Sequence, residues 1–573
     1  MSWKHPNIDA GPLAKRVEHT LKQLEQDRIV ERLLQRDHTV WGPEPDEIAN
    51  RLGWLDSPRV MMDEISAIQA FVSQAREAGF THALLLGMGG SSLAPEVFRQ
   101  VFGVADRFID VRVLDSTDPA AVLAAFAASA PSTTLYIPAT KSGGTVETLS
   151  FLKAAYRRAA ADLGRDPGDH FVAITDPGSG LADLAQELSF RHIFLNNPDI
   201  GGRYSALSMF GLVPAALCGI DVGVLLVSAQ QALEELAELT VQTPSVVMGA
   251  LLGAAAREGR DKLTLVSSST LNPIGVWVEQ LVAESTGKRE RGILPVHGEA
   301  LGTPDVYGDD RIFVASQLRS ESMEQQPLAT LGEAGHPVAH FELQTKSDLG
   351  AELIGWEIAT IIAGHVLEIN PFDQPDVESA KIQARSMVST YQETGELPSE
   401  QATLTDQGIT IMGDVAGSTL LDLLQQILRS ASPSTSYYAL QAYLPPSETT
   451  HAALQHLRHG IRSATRRATT AGYGPRFLHS TGQLHKGDGG TGFFVQLTCD
   501  DTIDLGIPDS TETDESSMSF GVLKAAQALG DAQALRQGGR QVVRFHLGTQ
   551  IDAALRTLCT TLDQAIQQPT ATE

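Results

Sequence analysis

Two short loops carry the residue types that hold a phosphate group. The first, 87–92, is rich in glycine, so its backbone can turn tightly at Gly90 and bring N–H groups and the Ser91 hydroxyl close to an anion. The second, 140–145, offers three hydroxyls and one lysine, which together can surround a phosphate and balance its charge. Its candidate residues are Thr140, Lys141, Ser142 and Thr145.

Each loop also has a simpler interpretation. The stretch 87–92 lacks the P-loop pattern G-x-x-x-x-G-K-[ST], and it misses G-x-G-x-x-G because Ser92 replaces the last glycine. It could be a plain turn between a strand and a helix, and 140–145 could be an ordinary Ser/Thr-Gly loop. Their occurrence about fifty residues apart in one α/β pattern favours a shared phosphate site.

Two further stretches carry groups suited to charge and proton chemistry. Arg203 follows Gly202 in a loop that precedes an apolar helix, a position from which a guanidinium can hold an oxyanion. Gln280 and Glu284 lie four residues apart near the end of a predicted helix, so they share one face. We interpret Glu284 as a candidate general base near neutral pH. The alternatives are a surface arginine and a solvated Glu–Lys cluster.

A stiff loop with two prolines, 370–376, leads into another predicted helix. Such a loop can direct Gln374 and Lys381 into a cleft. A solvated Lys381 is the alternative.

The surrounding pattern predicts the elements that position these groups. Short apolar strands alternate with helical segments over 76–225 and again over 226–392, which is typical of doubly wound parallel sheets. Both phosphate loops follow strands, where such sheets bind ligands. We expect an N-terminal helical segment over 1–75, a polar linker over 392–407 and a smaller α/β domain over 408–566.

Composition excludes several classes of function. The chain has 573 residues and a formal net charge of −26, which argues against nucleic-acid or anionic-membrane partners. Its three scattered cysteines, Cys218, Cys499 and Cys559, form neither a disulfide framework nor a metal motif. Without an apolar run near 18 residues or a signal-peptide pattern at 1–5, we expect a cytoplasmic protein.

In this order the stretches resemble the phosphoglucose isomerase family, which has the sugar isomerase (SIS) fold. The resemblance covers about 80 to 385 and rests on five motifs. They are Gly87-Met88-Gly89-Gly90-Ser91, Thr140-Lys141-Ser142-Gly143-Gly144-Thr145-Val146-Glu147-Thr148, Gly201-Gly202-Arg203-Tyr204-Ser205, Glu284-Ser285-Thr286-Gly287-Lys288, and Phe372-Asp373-Gln374 with Val377-Glu378 and Lys381.

The resemblance implies interconversion of glucose 6-phosphate and fructose 6-phosphate through a cis-enediolate, without metal or cofactor, in a homodimer. It implies that Glu284 moves the proton, Arg203 stabilises the enediolate and Lys381 assists ring opening. The two loops would hold the phosphate, while Gln280, Gln374 and Gly202 would contact the sugar. The alternatives are a non-catalytic sugar-phosphate-binding regulator and an isomerase that also accepts mannose 6-phosphate.

One departure from the family concerns ring opening. The family places a histidine from the neighbouring subunit in a stretch that here reads 302–307, where Tyr307 occupies its position. Tyr307 is the first candidate to contact the ring oxygen, and His297, His336 and His340 are alternatives that are more often structural.

The chain beyond 385 is not part of the usual isomerase. The stretch 474–487 resembles the tail of bifunctional transaldolase/phosphoglucose isomerase chains, which suggests a functional link to transaldolase. It contains Arg476, His479, His485 and Lys486. This basic loop could bind an anion, meet the active site of a neighbour or be an ordinary surface loop.

Overall fold

The computed structural model describes residues 6–413, 415, 417–429 and 436–568. Residues 1–5, on which part of the signal-peptide expectation rests, lie outside this description. The chain begins with strand β1 (Asn7–Asp9) and three helices, α1 (Ala14–Gln26), α2 (Ile29–Leu34) and α3 (Ser57–Glu77). The expected helical segment over 1–75 therefore also contains a short strand near its start, and this strand pairs with a sheet that is formed much later in the chain.

The first sheet is fully parallel. Its elements are β2 (His82–Gly87), α4 (Leu93–Phe102), β3 (Asp110–Leu114), α5 (Pro119–Ala127), β4 (Thr134–Ala139), α6 (Val146–Leu163), β5 (Val172–Thr175), α7 (Gly180–Glu187), β6 (His192–Leu195) and α8 (Met209–Leu217). The strands run in the order β3-β2-β4-β5-β6. The inner strand β2 is apolar and buried after His82 because both faces of the sheet are covered. Local chemistry sets the helix starts, as at α5, where Asp118 accepts from two backbone N–H groups ahead of Pro119.

The second sheet repeats this plan. Its elements are α9 (Val222–Leu239), α10 (Pro244–Arg257), β7 (Lys262–Ser267), α11 (Ile274–Thr286), β8 (Leu294–Val296), β9 (Arg311–Leu318), α12 (Gln326–Glu333), β10 (Val338–Leu343), α13 (Leu349–Val366) and α14 (Val377–Thr394). The order is β1-β10-β9-β7-β8, and β1 is the antiparallel member. The predicted boundary at 225/226 falls inside α9, which packs against both α3 and α13.

The third sheet is mixed and has six strands. Its elements are β11 (Leu404–Asp406), β12 (Ile409–Gly413), α15 (Leu420–Arg429), β13 (Tyr437–Tyr443), α16 (Glu448–Thr465), β14 (Ala468–Tyr473), α17 (Gly482–Gly487), β15 (Gly492–Thr498), the hairpin pair β16 (Gly506–Ile507) and β17 (Met518–Ser519), α18 (Phe520–Gln537), β18 (Gln541–His546) and α19 (Ile551–Gln567). The order is β11-β12-β18-β15-β13-β14. The fold class of two parallel α/β sheets followed by a third α/β unit is confirmed, although the third sheet is larger than expected.

This third unit is packed firmly onto the other two. Phe520 and Leu523 share an apolar cluster with Phe151 of the first sheet's layer, and the Phe151 and Phe520 rings stack at 5.8 Å. Tyr437 lies in a cluster with Ala283, on the helix that carries Glu284. The predicted linker is short, since α14 extends to Thr394 and β11 begins at Leu404.

The second sheet also has a hydroxyl-rich loop at the carboxyl end of one of its inner strands, β7. After β7, the side chains of Ser269 and Thr270 donate to the carboxylate of Glu321, at 3.1 and 2.5 Å, and the Thr270 backbone N–H donates at 3.2 Å. Hydrogen bonds from Ser268 and Thr270 lower the pKa of Glu321 to about 2. A side-chain anion of the protein itself thus fills this cradle.

Helix α13 is buried on nearly all sides. The segment Lys346–Val366 is long and apolar enough to span a membrane, but 89% of its most apolar window is buried inside the protein. It contains Glu357, which is 2% exposed and whose Oε1 has no hydrogen-bond partner among the described residues. Burial raises the pKa of Glu357 well above its ordinary value.

We expect Glu357→Gln to flatten the dependence of stability on pH. A carboxyl whose pKa is raised in the folded state favours folding below its unfolded pKa, and this advantage is lost as the pH rises. The glutamine variant should therefore be more stable than the parent at pH 8, by about 1–3 kcal/mol. Thermal melts from pH 5 to pH 8 test this, with the exposed Glu187→Gln as the matched control. An unchanged slope in the Glu357 variant would contradict the expectation.

Candidate active site

A cavity of about 740 Å³ opens at the carboxyl ends of the first sheet, where all three units meet. Its volume suits a small polar ligand of the size of a hexose phosphate. It is lined by both predicted phosphate loops, by the Arg203 and Glu284 segments, by α14, and by side chains of the third unit. The predicted site residues on its wall are Gly90, Ser91, Thr140, Lys141, Ser142, Thr145, Gly202, Arg203, Gln280, Glu284, Gln374 and Lys381.

The first loop is held against the loop that carries Arg203. A short 3₁₀ turn, Gly89–Ser91, follows β2, and Gly89 adopts a left-handed φ of +54°. A Cβ atom at Gly90 would stand 2.0 Å from the carbonyl oxygen of Gly202, so only glycine allows this approach. The contact fixes an anion-binding turn beside the guanidinium of Arg203.

The second loop is organised by its own hydroxyls and one ion pair. Thr140 Oγ1 lies 2.9 Å from Thr145 Oγ1, across the mouth of the loop. Lys141 pairs with the Asp176 carboxylate and donates to the carbonyl of Pro198 at 2.7 Å. Burial raises the pKa of Asp176, while Lys141 opposes that rise. Lys141 therefore shares its charge with Asp176 in addition to facing the cavity.

Arg203 is held by several acceptors in the wall of the cavity. It is 4% exposed, and its Nη2 donates to the carbonyls of Pro371 and Asp373, each at 2.9 Å. Its Nη1 donates to Gln374 Oε1 at 3.1 Å and lies 3.5 Å from Glu284 Oε2. Gln374 thus positions the guanidinium, and the stiff proline loop aims it at the carboxylate.

Glu284 lies in the last turn of α11, and Gln280 lies one turn earlier on the same face, as the spacing predicts. Glu284 is 7% exposed, so its carboxylate is largely shielded from bulk water. Gln280 donates from Nε2 to the carbonyl of His479 at 2.8 Å, and its Oε1 has no partner among the described residues. That oxygen is buried and keeps an unused acceptor position in a residue that lines the cavity.

Lys288, to which the sequence interpretation gave no role, contacts the proline-containing loop 370–376 at Asp373. Its Nζ donates to the Asp373 carbonyl at 2.5 Å and to the Asp373 carboxylate at 2.8 Å. Burial, reinforced by the nearby charge of Arg203, lowers the pKa of Lys288 to about 7. Lys288 and Arg203 therefore both bind Asp373 and fix the loop between them.

The candidates proposed in place of the family histidine lie elsewhere. Tyr307 is fully buried beside Phe313, and its hydroxyl accepts from the Gly302 N–H at 2.7 Å. The expectation that Tyr307 contacts a sugar ring is wrong, because the 3₁₀ turn Pro304–Val306 directs it into the core of the second unit.

The three alternative histidines are not among the described residues that line the cavity. His297 faces a second cavity, where burial and Arg458 lower its pKa to about 4. His336 is buried, and His340 lies on the edge of the second sheet beside β1.

The sequence interpretation missed two partners on the cavity wall, Glu147 and His479. His479 Nε2 lies 3.0 Å from Glu147 Oε1, and Gln527 Nε2 donates to the same oxygen at 2.7 Å. Glu147 was part of a quoted motif and His479 part of the basic 474–487 loop, but neither received a role. The sequence left three interpretations of this loop open, an anion site, a contact with a neighbour and an ordinary surface loop, and the structure places part of it on the cavity wall of its own chain.

Comparison with known proteins places these features in a family. The sequence model of phosphoglucose isomerase matches residues 35–294. The chain is 30% identical over 393 residues to a glucose-6-phosphate isomerase of Thermus thermophilus, with 60% of this chain and 91% of that protein covered. It is 29% identical over 413 residues to the enzyme of the same name from Rubrobacter xylanophilus, with 61% and 94% covered.

Solved structures show the same architecture. A glucose-6-phosphate isomerase from Chlamydia trachomatis superposes with a TM-score of 0.56 at 19% identity, covering 66% of this chain and 86% of the other. A hypothetical protein from Thermus thermophilus, TT0462, gives a TM-score of 0.56 at 25% identity, covering 67% and 99%. In each of these comparisons about a third or more of the present chain lies outside the match.

Proposed function

This chain belongs to the phosphoglucose isomerase family, and we propose that its cavity interconverts glucose 6-phosphate and fructose 6-phosphate with Glu284 as the base. The activity is that of an aldose–ketose isomerase acting on a sugar phosphate. The observation that supports this assignment of roles is the pair of Glu284 Oε2 and Arg203 Nη1, 3.5 Å apart, in a cavity that is also lined by both candidate phosphate loops.

The geometry matches the proton transfer that the reaction requires. Glu284 removes the C2 proton of the open aldose, the electrons move into a C1–C2 double bond, and negative charge develops on the oxygens. Arg203, already fixed by three acceptors, stabilises that charge without reorganisation. Glu284 then returns the proton to C1, and the ketose forms. The two loops hold the phosphate, so binding energy far from the reacting carbons positions them.

The remaining site residues have supporting roles in this proposal. Gln280 offers its unpartnered Oε1 to a sugar hydroxyl, and Gln374 fixes Arg203. Lys381 lies on α14 and lines the cavity. Its positive charge is close enough to Glu147 to help lower the pKa of that carboxyl.

The two alternatives are not favoured. A sugar-phosphate-binding regulator would need the loops but not the joint arrangement of Glu284 and Arg203. An additional mannose 6-phosphate activity would use the same enediolate, and the relatives carry the name of glucose-6-phosphate isomerase alone.

A coupled assay tests the proposal. The purified chain should convert fructose 6-phosphate to glucose 6-phosphate, detected with a dehydrogenase specific for the product, and should not act on unphosphorylated fructose. Mannose 6-phosphate supplied as the sole substrate separates the dual-specificity alternative. A folded, fully soluble preparation that binds fructose 6-phosphate but does not isomerise it would favour the regulator.

We expect Lys141→Met to weaken substrate binding more than turnover. The change removes a cation from the phosphate loop and leaves the Asp176 carboxylate to repel the phosphate. KM should rise about 10- to 100-fold, the loss of one charge-assisted hydrogen bond, with kcat little changed. Lys22→Met, which removes an exposed lysine paired with Glu18, is the matched control. A fall in kcat at constant KM would contradict this role.

Three finer expectations accompany the proposal: a homodimer, a cytoplasmic location and a functional link to transaldolase. The support for the link is the resemblance of 474–487 to bifunctional chains. Light scattering at assay concentrations measures the oligomeric state.

A further inference from the structure

The third unit extends into the cavity through the 3₁₀ segment Arg476–His479. The carbonyl of His479 accepts from Gln280, on the helix of Glu284, and its backbone lies close to Gly89 of the first phosphate loop. The His479 side chain is 21% exposed and lines the cavity. His479 is the one histidine among the described residues that line the cavity.

A buried carboxylate fixes the imidazole. Glu147, in the first turn of α6, accepts from Gln527 and from His479 Nε2 on the same oxygen. Gln527 is itself held, because its Oε1 accepts from Thr117 Oγ1 at 2.8 Å. Burial alone would raise the pKa of Glu147, but His479 and Lys381 lower it below its ordinary value. The carboxylate is therefore ionised and oriented, and because Nε2 is engaged by it, Nδ1 is the second ring nitrogen of a residue that lines the cavity.

Contacts on both sides of His479 keep this segment in place. Arg476 pairs with Glu96 and lies 3.3 Å from Asp115, both in the first unit. Gln483 donates to the Gly287 carbonyl at 2.8 Å, next to the Glu284 motif, and accepts from the backbone N–H of Asp376 at 3.0 Å. The histidine is thus placed by a rigid junction of all three units.

We propose that the third unit is a catalytic part of the enzyme, in which His479 opens and closes the sugar ring and Glu147 positions it. The inference rests on the proposed isomerase function. Glucose 6-phosphate closes its ring between C1 and O5, and fructose 6-phosphate between C2 and O5. One acid near O5 can therefore serve both directions of the reaction.

The step balances without a further reactant. In glucose 6-phosphate, the imidazolium of His479 gives a proton from Nδ1 to O5, and the C1–O5 bond breaks with its electron pair going to O5. The C1 hydroxyl loses its proton to water and C1=O forms. Solvent then returns a proton to His479. Glu147 stays ionised throughout and stabilises the imidazolium.

His479→Asn tests the assignment with two substrates. Fructose 6-phosphate must be opened, whereas 5-deoxyfructose 6-phosphate lacks the C5 hydroxyl and cannot close a furanose ring. We expect kcat on fructose 6-phosphate to fall roughly 10- to 100-fold, less than for the central base because rings also open unaided. Deuterium exchange from C1 of 5-deoxyfructose 6-phosphate should stay within about twofold of the parent rate.

Controls separate this inference from the function on which it rests. His456→Asn makes the same change at another histidine of the third unit paired with a carboxylate, Asp563, and should alter neither rate. Glu284→Gln should abolish both rates, whereas failure of the parent on both substrates would reject the isomerase itself. Glu147→Gln should lower only the fructose 6-phosphate rate and move the alkaline limb of its pH profile to lower pH, because the imidazolium loses its neighbouring negative charge.

Two results would overturn the role of His479. If His479→Asn lowered the rates on both substrates equally, His479 would have a general structural role. If it changed neither rate, His479 would have no part in catalysis. Circular dichroism and melting temperature identify a variant that fails to fold, and His479→Gln then provides a second test of the same position.

Discussion

Glu284→Gln is expected to lower kcat by about 10²- to 10⁴-fold while leaving KM within a few-fold of the parent. Glutamine keeps the shape of the side chain but cannot take a proton from carbon. Because the phosphate loops and Gln280 remain, the substrate still binds in its usual position. The coupled assay measures turnover, and exchange of the C2 hydrogen of glucose 6-phosphate with deuterated water measures proton transfer directly.

The matched control for this substitution lies on the same helix. Glu279 faces the second cavity, where it accepts from Ser480 Oγ at 3.4 Å. Glu279→Gln should retain turnover close to that of the parent. If Glu284→Gln kept more than half of the activity, the base would have to be another group.

Arg203→Lys should have the second-largest effect, a loss of about 10²- to 10³-fold in kcat/KM. A lysine keeps the charge but cannot donate to the carbonyls of Pro371 and Asp373 while also facing Glu284. The developing enediolate would then lose its fixed donor. An inhibitor that mimics the enediolate, such as a hydroxamate of the corresponding sugar acid phosphate, should lose affinity by a factor similar to the loss in kcat/KM.

A comparable arginine away from the cavity provides the control. Arg165 pairs with Asp169 at 2.7 Å beyond the end of α6, and Arg165→Lys should leave the kinetics unchanged. If the enediolate mimic bound equally well to Arg203→Lys and the parent, Arg203 would be a structural residue of the loop rather than a catalytic one.

Part of the cavity wall could be predicted from sequence because local patterns define it. The loops after β2 and β4 follow neighbouring parallel strands, so their meeting follows from topology alone. Gln280 and Glu284 share a face because helix periodicity requires it. The clustering of Arg203 with Gln374 could not be read from spacing, since 171 residues separate them, and the motif resemblance supplied it.

The residues that were missed or misplaced depend on long-range contacts. His479 meets Glu147 across 332 residues, and no local pattern in the 474–487 loop indicates which surface that loop packs against. Tyr307 was selected by its position in a motif, but the short turn before it rotates the ring into apolar packing with Phe313. The position of a residue in a motif predicts that it lies at the site, but tertiary packing decides which side chains line the cavity.

The cradle after β7, filled by the carboxylate of Glu321, bears on binding stoichiometry. The first and second sheets repeat the order of strand, hydroxyl-bearing loop and helix, which would suggest two anion sites in each chain. In the second sheet the hydroxyls of Ser269 and Thr270 are already engaged by Glu321, which follows the middle strand β9 of the same sheet. The order of elements is therefore repeated, but the second cradle is filled from within the chain, and we expect saturation at one sugar phosphate per polypeptide.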